Sequence, residues 1–208
     1  MLRDTPYATV RQADVADRQA VLDILTEAFM DDPVACWLFP APDERARLQP
    51  HFYGHLLDQG GAEAYLVGRN EGASVWLALA AGQAPDEDRP DAPENSIFGD
   101  SGTRLLALGR ALAERHPRHE PHLYLWCMGV VGGRQGAGLG SAMLRHRLER
   151  ADADGLAVYL EASSPRSRAL YLRHGFEDLG TPVRVADSPL LCPMWREPRV
   201  DTHQHKGE

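Results

Sequence analysis

The chain has 208 residues, of which 43% are hydrophobic and 25% charged, the composition of an ordinary globular domain that can bury a sizeable core. Its formal net charge is -8, with acidic and basic residues interspersed. This argues against nucleic acid, which needs clustered Lys and Arg, and favours a small cationic partner. No apolar run approaches the roughly 20 residues that cross a bilayer, and residues 1–10 lack the pattern of a signal peptide. We therefore expect a cytoplasmic protein with no membrane or nucleic-acid partner.

Hydrophobic periodicity in the first part of the chain predicts a strand, then helices, then an antiparallel hairpin. Asp14 opens a helical pattern in which Val21, Leu25 and Phe29 share one face, and prolines interrupt the chain before a longer helix. Residues 70–72, Asn-Glu-Gly, suit a tight hairpin turn. The predicted elements are a strand over 7–13, a helix over 14–29, a helical turn over 35–38, a helix over 43–59, and strands over 62–70 and 73–81.

The second part of the chain predicts a strand, helix, strand unit at its centre. Its elements are an exposed loop over 82–96, a helix over 102–115, a strand over 122–131, a helix over 138–154, a strand over 156–162, a helix over 165–173, and an extended pair around 176–179 and 190–196. Two successive strands joined by a helix should lie parallel, with a right-handed crossover. The sequence therefore predicts an α/β (α+β) fold with helices on a mixed sheet.

Glycines crowd the turn between the strand over 122–131 and the helix after it, at Gly132, Gly133, Gly136, Gly138 and Gly140. Such a turn directs unpaired backbone N–H groups and the positive end of the helix dipole to one point, which is an anion site. A Cβ at position 136, 138 or 140 would hold a phosphate away from these amides, and positive φ is expected at some of them. No lysine follows as in a triphosphate loop, and Ser141 stands where a dinucleotide fingerprint needs glycine.

Two motifs resemble those of one family. The run Gln135-Gly136-Ala137-Gly138-Leu139-Gly140 after MGVV resembles the pyrophosphate loop of the GCN5-related N-acetyltransferase (GNAT) family. The later YLEASSPRSRALYLRHGFEDLG resembles the family's next strand, its turn and its tyrosine helix, which ends in Tyr171, Gly175 and Phe176. Together the motifs cover residues 123–180, and the run from HLYLWCMGVV to LYLRHGF is most similar to the branch that contains puromycin N-acetyltransferase.

The resemblance implies a fold and an activity. The fold is a mixed, mostly antiparallel sheet of about six to seven strands with a central β-α-β unit for acetyl-CoA. Residues 1–200 would form one domain, with the acceptor half over 1–120 and the acetyl-CoA half over 121–200, before a disordered tail over 201–208. The protein would be an N-acetyltransferase that moves acetyl from acetyl-CoA to a small-molecule primary amine by direct attack in a ternary complex. It would use no metal and act as a monomer or homodimer.

The resemblance also places the coenzyme in a cleft where the strand ending at Val130 diverges from the strand around Leu160. Backbone groups of Met128, Gly129 and Val130 would pair with the pantetheine arm, as an added strand pairs with a sheet edge. The loop from Gln135 through Gly136, Ala137, Gly138, Leu139 and Gly140 to Ser141 would hold the pyrophosphate. Ser164 stands where many relatives carry a coenzyme-contacting asparagine. Phosphate or adenosine neighbours, or else a solvated helix face, are expected of Arg134, Arg145 and Arg147.

Thioester aminolysis needs a neutral amine, a donor for the oxyanion and a proton for the thiolate. By resemblance, Tyr171 is the general acid, the alternative being a tyrosine that only packs against the ligand. Glu161 could take the amine proton through water or merely orient neighbouring groups, and the Val130 N–H could serve the oxyanion. A non-catalytic acyl-CoA sensor is the alternative function, but a sensor needs no acid at the cleft, so Tyr171 with Glu161 favours the enzyme.

The acceptor site in such folds is built largely from the first half of the chain. There Asp31 and Asp32 accompany Trp37 and Phe39, a set that could attract an ammonium group and seat its body. The acids could equally cap a helix end. Three further aromatic residues could line the pocket but are expected in the core, namely Tyr53, Trp76 and Trp126.

Two other chemistries are considered and not expected. The histidines that raise a metal site are His116, His119, His122, His203 and His205. Pro117 and Pro121 prevent one helix from aligning the first three, so no metal is predicted. Cys127 could be imagined as a nucleophile, but nothing places a histidine beside it. Reduced, mostly buried thiols are expected at all three cysteines, Cys36, Cys127 and Cys192.

Overall fold

The structure is a computed structural model that describes residues 8–85 and 95–199. Its helices are α1 Arg18–Ala28, α2 Pro33–Leu38, α3 Pro42–Leu57, α4 Asn95–Phe98, α5 Asp100–Ala113, α6 Leu139–Ala153 and α7 Pro165–Arg173. Its strands are β1 Val10–Gln12, β2 Ala62–Val67, β3 Gly72–Leu79, β4 His122–Val130, β5 Ala157–Ala162, β6 Glu177–Asp178 and β7 Cys192–Arg196. The predicted mixed sheet flanked by helices is confirmed.

The seven described strands form one sheet in the order β1-β2-β3-β4-β5-β7-β6. Only β4 and β5 run parallel, and every other neighbouring pair is antiparallel. α6 connects β4 to β5, as the predicted order of strand, helix and strand indicated.

Several predicted boundaries differ from those observed, and two of these differences concern where a helix begins. The helix predicted from Asp14 begins at Arg18, because the Asp14 carboxylate accepts the N–H groups of Ala16 and Asp17 and caps a separate 3-10 turn over Val15–Asp17. The loop predicted over 82–96 overlaps α4, which starts at Asn95. Residues 86–94 of that loop and the predicted tail over 201–208 lie outside the described residues.

Helices cover both faces of the sheet. On one face α6 and α7 pack with Leu125 and Leu160 in a core that also holds Trp76. On the other, α1 and α3 pack with Val75, because successive strand residues point to opposite faces. No described helix has the length and apolarity needed to span a membrane.

A β-bulge changes this alternation in β4. Val75 pairs with Cys127 while Trp76 pairs with Leu125, so Trp126 has no partner on β3 and is the extra residue. As a result Trp126 and Cys127, although consecutive, both pack against the core beneath α1 and α3. The Trp126 indole therefore lies near the centre of the sheet, on the face that carries α1 and α3.

Candidate active site

The two parallel strands diverge halfway along their length. β4 and β5 are paired at His122, Leu123 and Tyr124, and the pairing ends where Tyr124 faces Tyr159. The rest of β4 keeps its pairing with β3 but leaves its other edge open. The Val131 N–H points toward β3, because it donates to the Glu71 carbonyl 3.1 Å away. Backbone groups alternate between the two edges of a strand, so the N–H and C=O groups of Met128 and Val130 point to the open edge.

A cleft of about 610 Å³ continues from this open edge. It is lined by the end of β4, by the glycine-rich turn, by the start of α6, by α7 and by the end of α1. Of the sequence-predicted coenzyme residues, Ala137, Arg145 and Arg147 do not line it, and the others do, namely Met128, Gly129, Val130, Arg134, Gln135, Gly136, Gly138, Leu139, Gly140, Ser141 and Ser164. The structure thus brings the glycine-rich turn and the start of α7 to one surface.

The glycine-rich turn has the backbone that a phosphate cradle needs. Gly136 and Gly138 have φ of 84° and 81°, a region that side chains with a Cβ rarely adopt, and a Cβ built on either would enter open space. Because α6 begins at Leu139, its first amides at Leu139, Gly140 and Ser141 have no carbonyl one turn earlier to bind. The Ala137 N–H instead donates to the Arg134 carbonyl at 3.3 Å.

Gly129 meets a different requirement. A Cβ at this position would stand 2.6 Å from the Ala28 Cβ and 3.1 Å from the Phe29 ring. The end of α1 therefore rests directly on β4, and strand alternation directs the Gly129 backbone groups toward β3 rather than toward the cleft. Glu27, one residue before Ala28, accepts the Gly132 N–H at 3.3 Å and ties the start of the loop to α1.

Tyr171 enters the cleft from α7. The residue is 7% exposed, and its ring packs edge-on against Phe176 with ring centroids 5.8 Å apart. Burial raises the pKa of its phenol above 10, and the nearby Cys127 and Asp32 raise it further. The hydroxyl therefore keeps its proton at neutral pH and is available as a donor.

Glu161 lies on β5 two residues past the last pair with β4, on the sheet face that carries Tyr159. Its Oε2 accepts the Tyr124 hydroxyl at 2.7 Å, whereas its Oε1 is buried and has no hydrogen-bond partner among the described residues. Burial raises the pKa of the carboxyl to about 7, against the opposing effect of hydrogen bonds from the Tyr124 and Tyr159 hydroxyls and from the backbone. Tyr171 therefore lines the cleft, whereas Glu161 is not among the lining residues and lies on the opposite face of the sheet.

The comparisons with known proteins agree with this geometry. The sequence model of the acetyltransferase (GNAT) family matches residues 22–176. The chain belongs to this family. Membership implies an acyl-CoA-dependent acetyltransferase, and the family's co-substrate is acetyl-CoA. The open β4 edge, the positive-φ glycines and the unpaired amides of α6 fit that co-substrate.

Solved structures similar to this GNAT chain span nearly its whole length. A Corynebacterium glutamicum protein, described as histone acetyltransferase HPA2 and related acetyltransferase, is 30% identical over 94% of this chain and 99% of its own, with a TM-score of 0.71. Two others share the fold alone. Arylalkylamine N-acetyltransferase 2 of Aedes aegypti is 11% identical, with coverages of 92% and 99% and a TM-score of 0.62. The ribosomal-protein-S18-alanine N-acetyltransferase of Escherichia coli is 15% identical, with coverages of 96% and 99% and a TM-score of 0.56.

The arginines of this GNAT protein divide differently from the sequence prediction. Arg147 is neither a phosphate neighbour nor part of a solvated face, because it is 5% exposed and its Nε lies 3.3 Å from the Glu63 carboxylate. Arg134 lines the cleft but is paired with Glu71 at 2.7 Å. Sequence reasoning missed the two cleft arginines of α7, Arg166 and Arg173. These two arginines are seven residues, or two helical turns, apart, and this spacing in the sequence could have predicted that they share one face of the helix.

Asp32 caps α2 and also reaches the cleft. One carboxylate oxygen accepts the N–H groups of Val34 and Ala35, which confirms the helix-capping interpretation. The other accepts the Ser163 hydroxyl at 2.9 Å, across 131 residues of chain. Since both oxygens are engaged, Asp32 joins the N-terminal half of the fold to the turn between β5 and α7.

The three aromatic residues predicted for the core are not all buried there. Trp76 and Tyr53 are buried, at 0% and 3% exposure, as expected of core residues. Trp126 is only partly buried and lines a second cavity, of about 500 Å³, on the α1 and α3 face. The hypothesis that this indole borders a pocket is therefore the better one.

The surroundings of the histidines and of Cys127 bear on the metal site and the nucleophile considered above. His116 and His122 lie with their Nε2 atoms 2.9 Å apart, and burial lowers the pKa of His116 to about 3, so the pair stays neutral. His119 turns away to Glu120 at 3.1 Å, and no group of three metal-ligating side chains occurs in residues 8–85 or 95–199. His203 and His205 lie outside the described residues. Burial raises the pKa of Cys127 to about 12, which makes it a poor nucleophile.

Proposed function

We propose that this protein is a cytoplasmic N-acetyltransferase that moves an acetyl group from acetyl-CoA to the primary amine of a small molecule, by direct attack in a ternary complex. The observation that supports this most is the cleft beside the open edge of β4, which brings Tyr171 together with the glycine-rich turn and the start of α6. A coenzyme-binding module without chemistry would need neither a buried phenol nor a carboxylate whose pKa burial raises to about 7.

Acetyl-CoA, when bound, supplies the activated acetyl thioester. Main-chain groups of Met128 and Val130, which face the open edge of β4, would pair with its pantetheine arm. The amides that begin α6, together with Gly136 and Gly138, would bind the pyrophosphate at the positive end of the helix dipole. Arg173 lines the same cleft and supplies a cation for a phosphate.

The chemistry assigned to the chain is a proton transfer on each side of the thioester. Glu161 takes a proton from the amine through Oε1, directly or by way of one water, as the nitrogen forms its bond to the acetyl carbon. The Val130 N–H donates to the carbonyl oxygen while that oxygen carries negative charge. When the carbon–sulfur bond breaks, the Tyr171 hydroxyl gives its proton to the thiolate. Solvent then removes the proton from Glu161 and returns one to Tyr171.

A thiol-release assay tests the proposal. The purified protein with acetyl-CoA is offered a panel of primary amines that includes arylalkylamines, peptides with free N-termini, and puromycin and aminoacyl nucleosides, to which the sequence resemblance points. We expect thiol release that depends on a small amine, with the acetylated amine identified by mass. Coenzyme binding without release across the panel would instead favour the acyl-CoA sensor.

A further inference from the structure

Two side chains form a bridge across the coenzyme cleft, from the end of β4 to the start of α7. The Gln135 Nε2 donates to the Val130 carbonyl at 3.3 Å, and the Gln135 Oε1 accepts a hydrogen bond from the Arg166 Nη1 at 2.9 Å. All three residues line the cleft. We call this pair of hydrogen bonds the Gln135–Arg166 bridge. It joins two walls between which a ligand of the cleft has to lie.

The backbone of the glycine-rich turn explains why Gln135 reaches back to the strand. A 3-10 turn over Gly132–Arg134 bends the chain, and the Gln135 N–H donates to the Gly132 carbonyl at 3.3 Å. Gln135 itself is extended, with φ of -64° and ψ of 143°. Its side chain therefore meets a carbonyl only five residues earlier in the chain, at Val130.

The start of α7 holds Arg166 on the opposite wall. Ser164 caps this helix by accepting the Ser167 N–H at 3.1 Å, and Pro165 is its first residue. Arg166 is exposed, and no carboxylate forms a salt bridge with it in the part of the chain that the structure describes. Its guanidinium therefore binds the neutral amide oxygen of Gln135.

The bridge and the coenzyme need the same carbonyl. The Val130 carbonyl faces the open edge of β4 and is one of the groups proposed to pair with the pantetheine arm. A ligand that pairs with a strand edge places its N–H groups directly in front of that edge, where the Gln135 amide stands. The Gln135 side chain therefore has to move before the arm can pair there, and its hydrogen bond from Arg166 opposes that movement.

We propose that the Gln135–Arg166 bridge is a latch that closes the open edge of β4 against the coenzyme, and that acetyl-CoA binds once the latch has opened. The inference rests on the proposed function and adds a regulation of its coenzyme site. The latch lowers the association rate and the apparent affinity by the fraction of molecules in which it is open. The same competition for the Val130 carbonyl lowers the affinity for the product CoA.

A double-mutant cycle on the association rate tests the latch. Stopped flow follows the binding of CoA that carries a fluorescent etheno-adenine to the native protein, Gln135→Ala, Arg166→Ala and the double variant. Both residues are exposed, so the variants are expected to fold. Gln135→Ala should raise kon about threefold, because an exposed polar contact of this kind favours the closed state by roughly two- to fivefold.

The cycle separates the latch from the effect of charge. Arg166→Ala removes a positive charge, which by itself slows the arrival of an anionic coenzyme. That effect is the same with and without Gln135 and cancels in the cycle. We therefore expect the ratio of kon after Arg166→Ala to kon before it to be about three times larger in the native protein than in Gln135→Ala.

Arg168→Ala is the matched control. Arg168 lies on α7 and carries the same charge, but it pairs with Asp178 and does not line the cleft. Its effect on kon should be the same in the native protein and in Gln135→Ala, because it takes no part in the bridge.

The outcomes distinguish the latch from the proposed function. Additive effects of Gln135→Ala and Arg166→Ala overturn the latch, and so does a slowing by Arg166→Ala that is larger in the native protein than in Gln135→Ala. The expected rates without acetylation of any amine leave the latch standing while the proposed function fails. Acetylation of an amine together with additive rates leaves the function standing and overturns the latch. Failure of CoA to bind overturns both.

Discussion

Glu161→Gln tests the origin of the raised carboxyl pKa through protein stability. Glutamine keeps the shape of the side chain and can still accept the Tyr124 hydroxyl, but it carries no charge at any pH. In the native protein burial raises the Glu161 pKa from 4.5 to about 7. At about 1.4 kcal/mol per pH unit, the buried charge makes the folded state about 3 kcal/mol less stable above pH 7 than below pH 4.5.

The sign follows from the direction of the shift. Between pH 4.5 and 7 the folded protein retains a proton that the unfolded chain has released, so the stability contributed by this group is lost as pH rises through about 7. The glutamine variant has no such loss. Its advantage in free energy of unfolding over the native protein should therefore grow by roughly 2 to 3 kcal/mol between pH 5 and pH 8.

Urea unfolding of both proteins at the two pH values, extrapolated linearly to water, measures this difference. Glu149→Gln is the matched control, because Glu149 is exposed on α6 and should show no growing advantage. An advantage of Glu161→Gln that stays constant within about 0.5 kcal/mol from pH 5 to pH 8 would refute the argument that burial raises this pKa.

Three further substitutions test the site. Tyr171→Phe should lower turnover by about 10²–10⁴-fold, because the thiolate loses its proton donor, while the affinity for CoA measured by calorimetry stays nearly unchanged. Tyr124→Phe removes a hydrogen bond that lowers the Glu161 pKa, so the acid limb of the pH profile of kcat/KM should move up from near pH 7 by roughly one unit. Gly138→Ala should weaken CoA binding and cost about 1 kcal/mol of stability, since residue 138 has φ of 81°.

Each of these has a contradicting result. Unaltered turnover in Tyr171→Phe would remove it from the reaction, and an unmoved acid limb in Tyr124→Phe would mean that Glu161 is not the group titrating there. For the loop, Gly133→Ala is the control, because Gly133 has ordinary φ and space for a Cβ. Equal CoA affinity in the Gly133 and Gly138 variants would show that the loop conformation does not matter for binding.

The glycine-rich turn could be predicted from the sequence because its features are local. The strand before it, the helix after it and the positive φ at Gly136 and Gly138 all follow from residue types within a few positions of one another. The direction of the first amides of α6 is then a consequence of where the helix begins. Distant contacts add to this local conformation, because Glu27 of α1 accepts the Gly132 N–H and Glu71 pairs with Arg134.

Burial was the quantity that sequence reasoning judged least well. Arg147 lies on α6 between arginines that are exposed, but its side chain points inward to Glu63 on β2. Whether a charged helical residue finds a partner depends on the strand beneath it, which comes from another part of the chain. The bulge at Trp126 was likewise missed, because it is a mismatch in register between β3 and β4 and no residue type announces it.

The sequence by itself determined the conformation of the glycine-rich turn and the direction of the first amides of α6, because both are set by neighbouring residues. The tertiary structure alone decided which carboxylate has a pKa near neutral pH and which residues meet at the cleft. The Glu161 pKa depends on burial and on Tyr124, 37 residues away in the chain, and the cleft exists only where β4 diverges from β5 beside α7. Desolvation and long-range packing are properties of the folded chain, and no local sequence pattern encodes them.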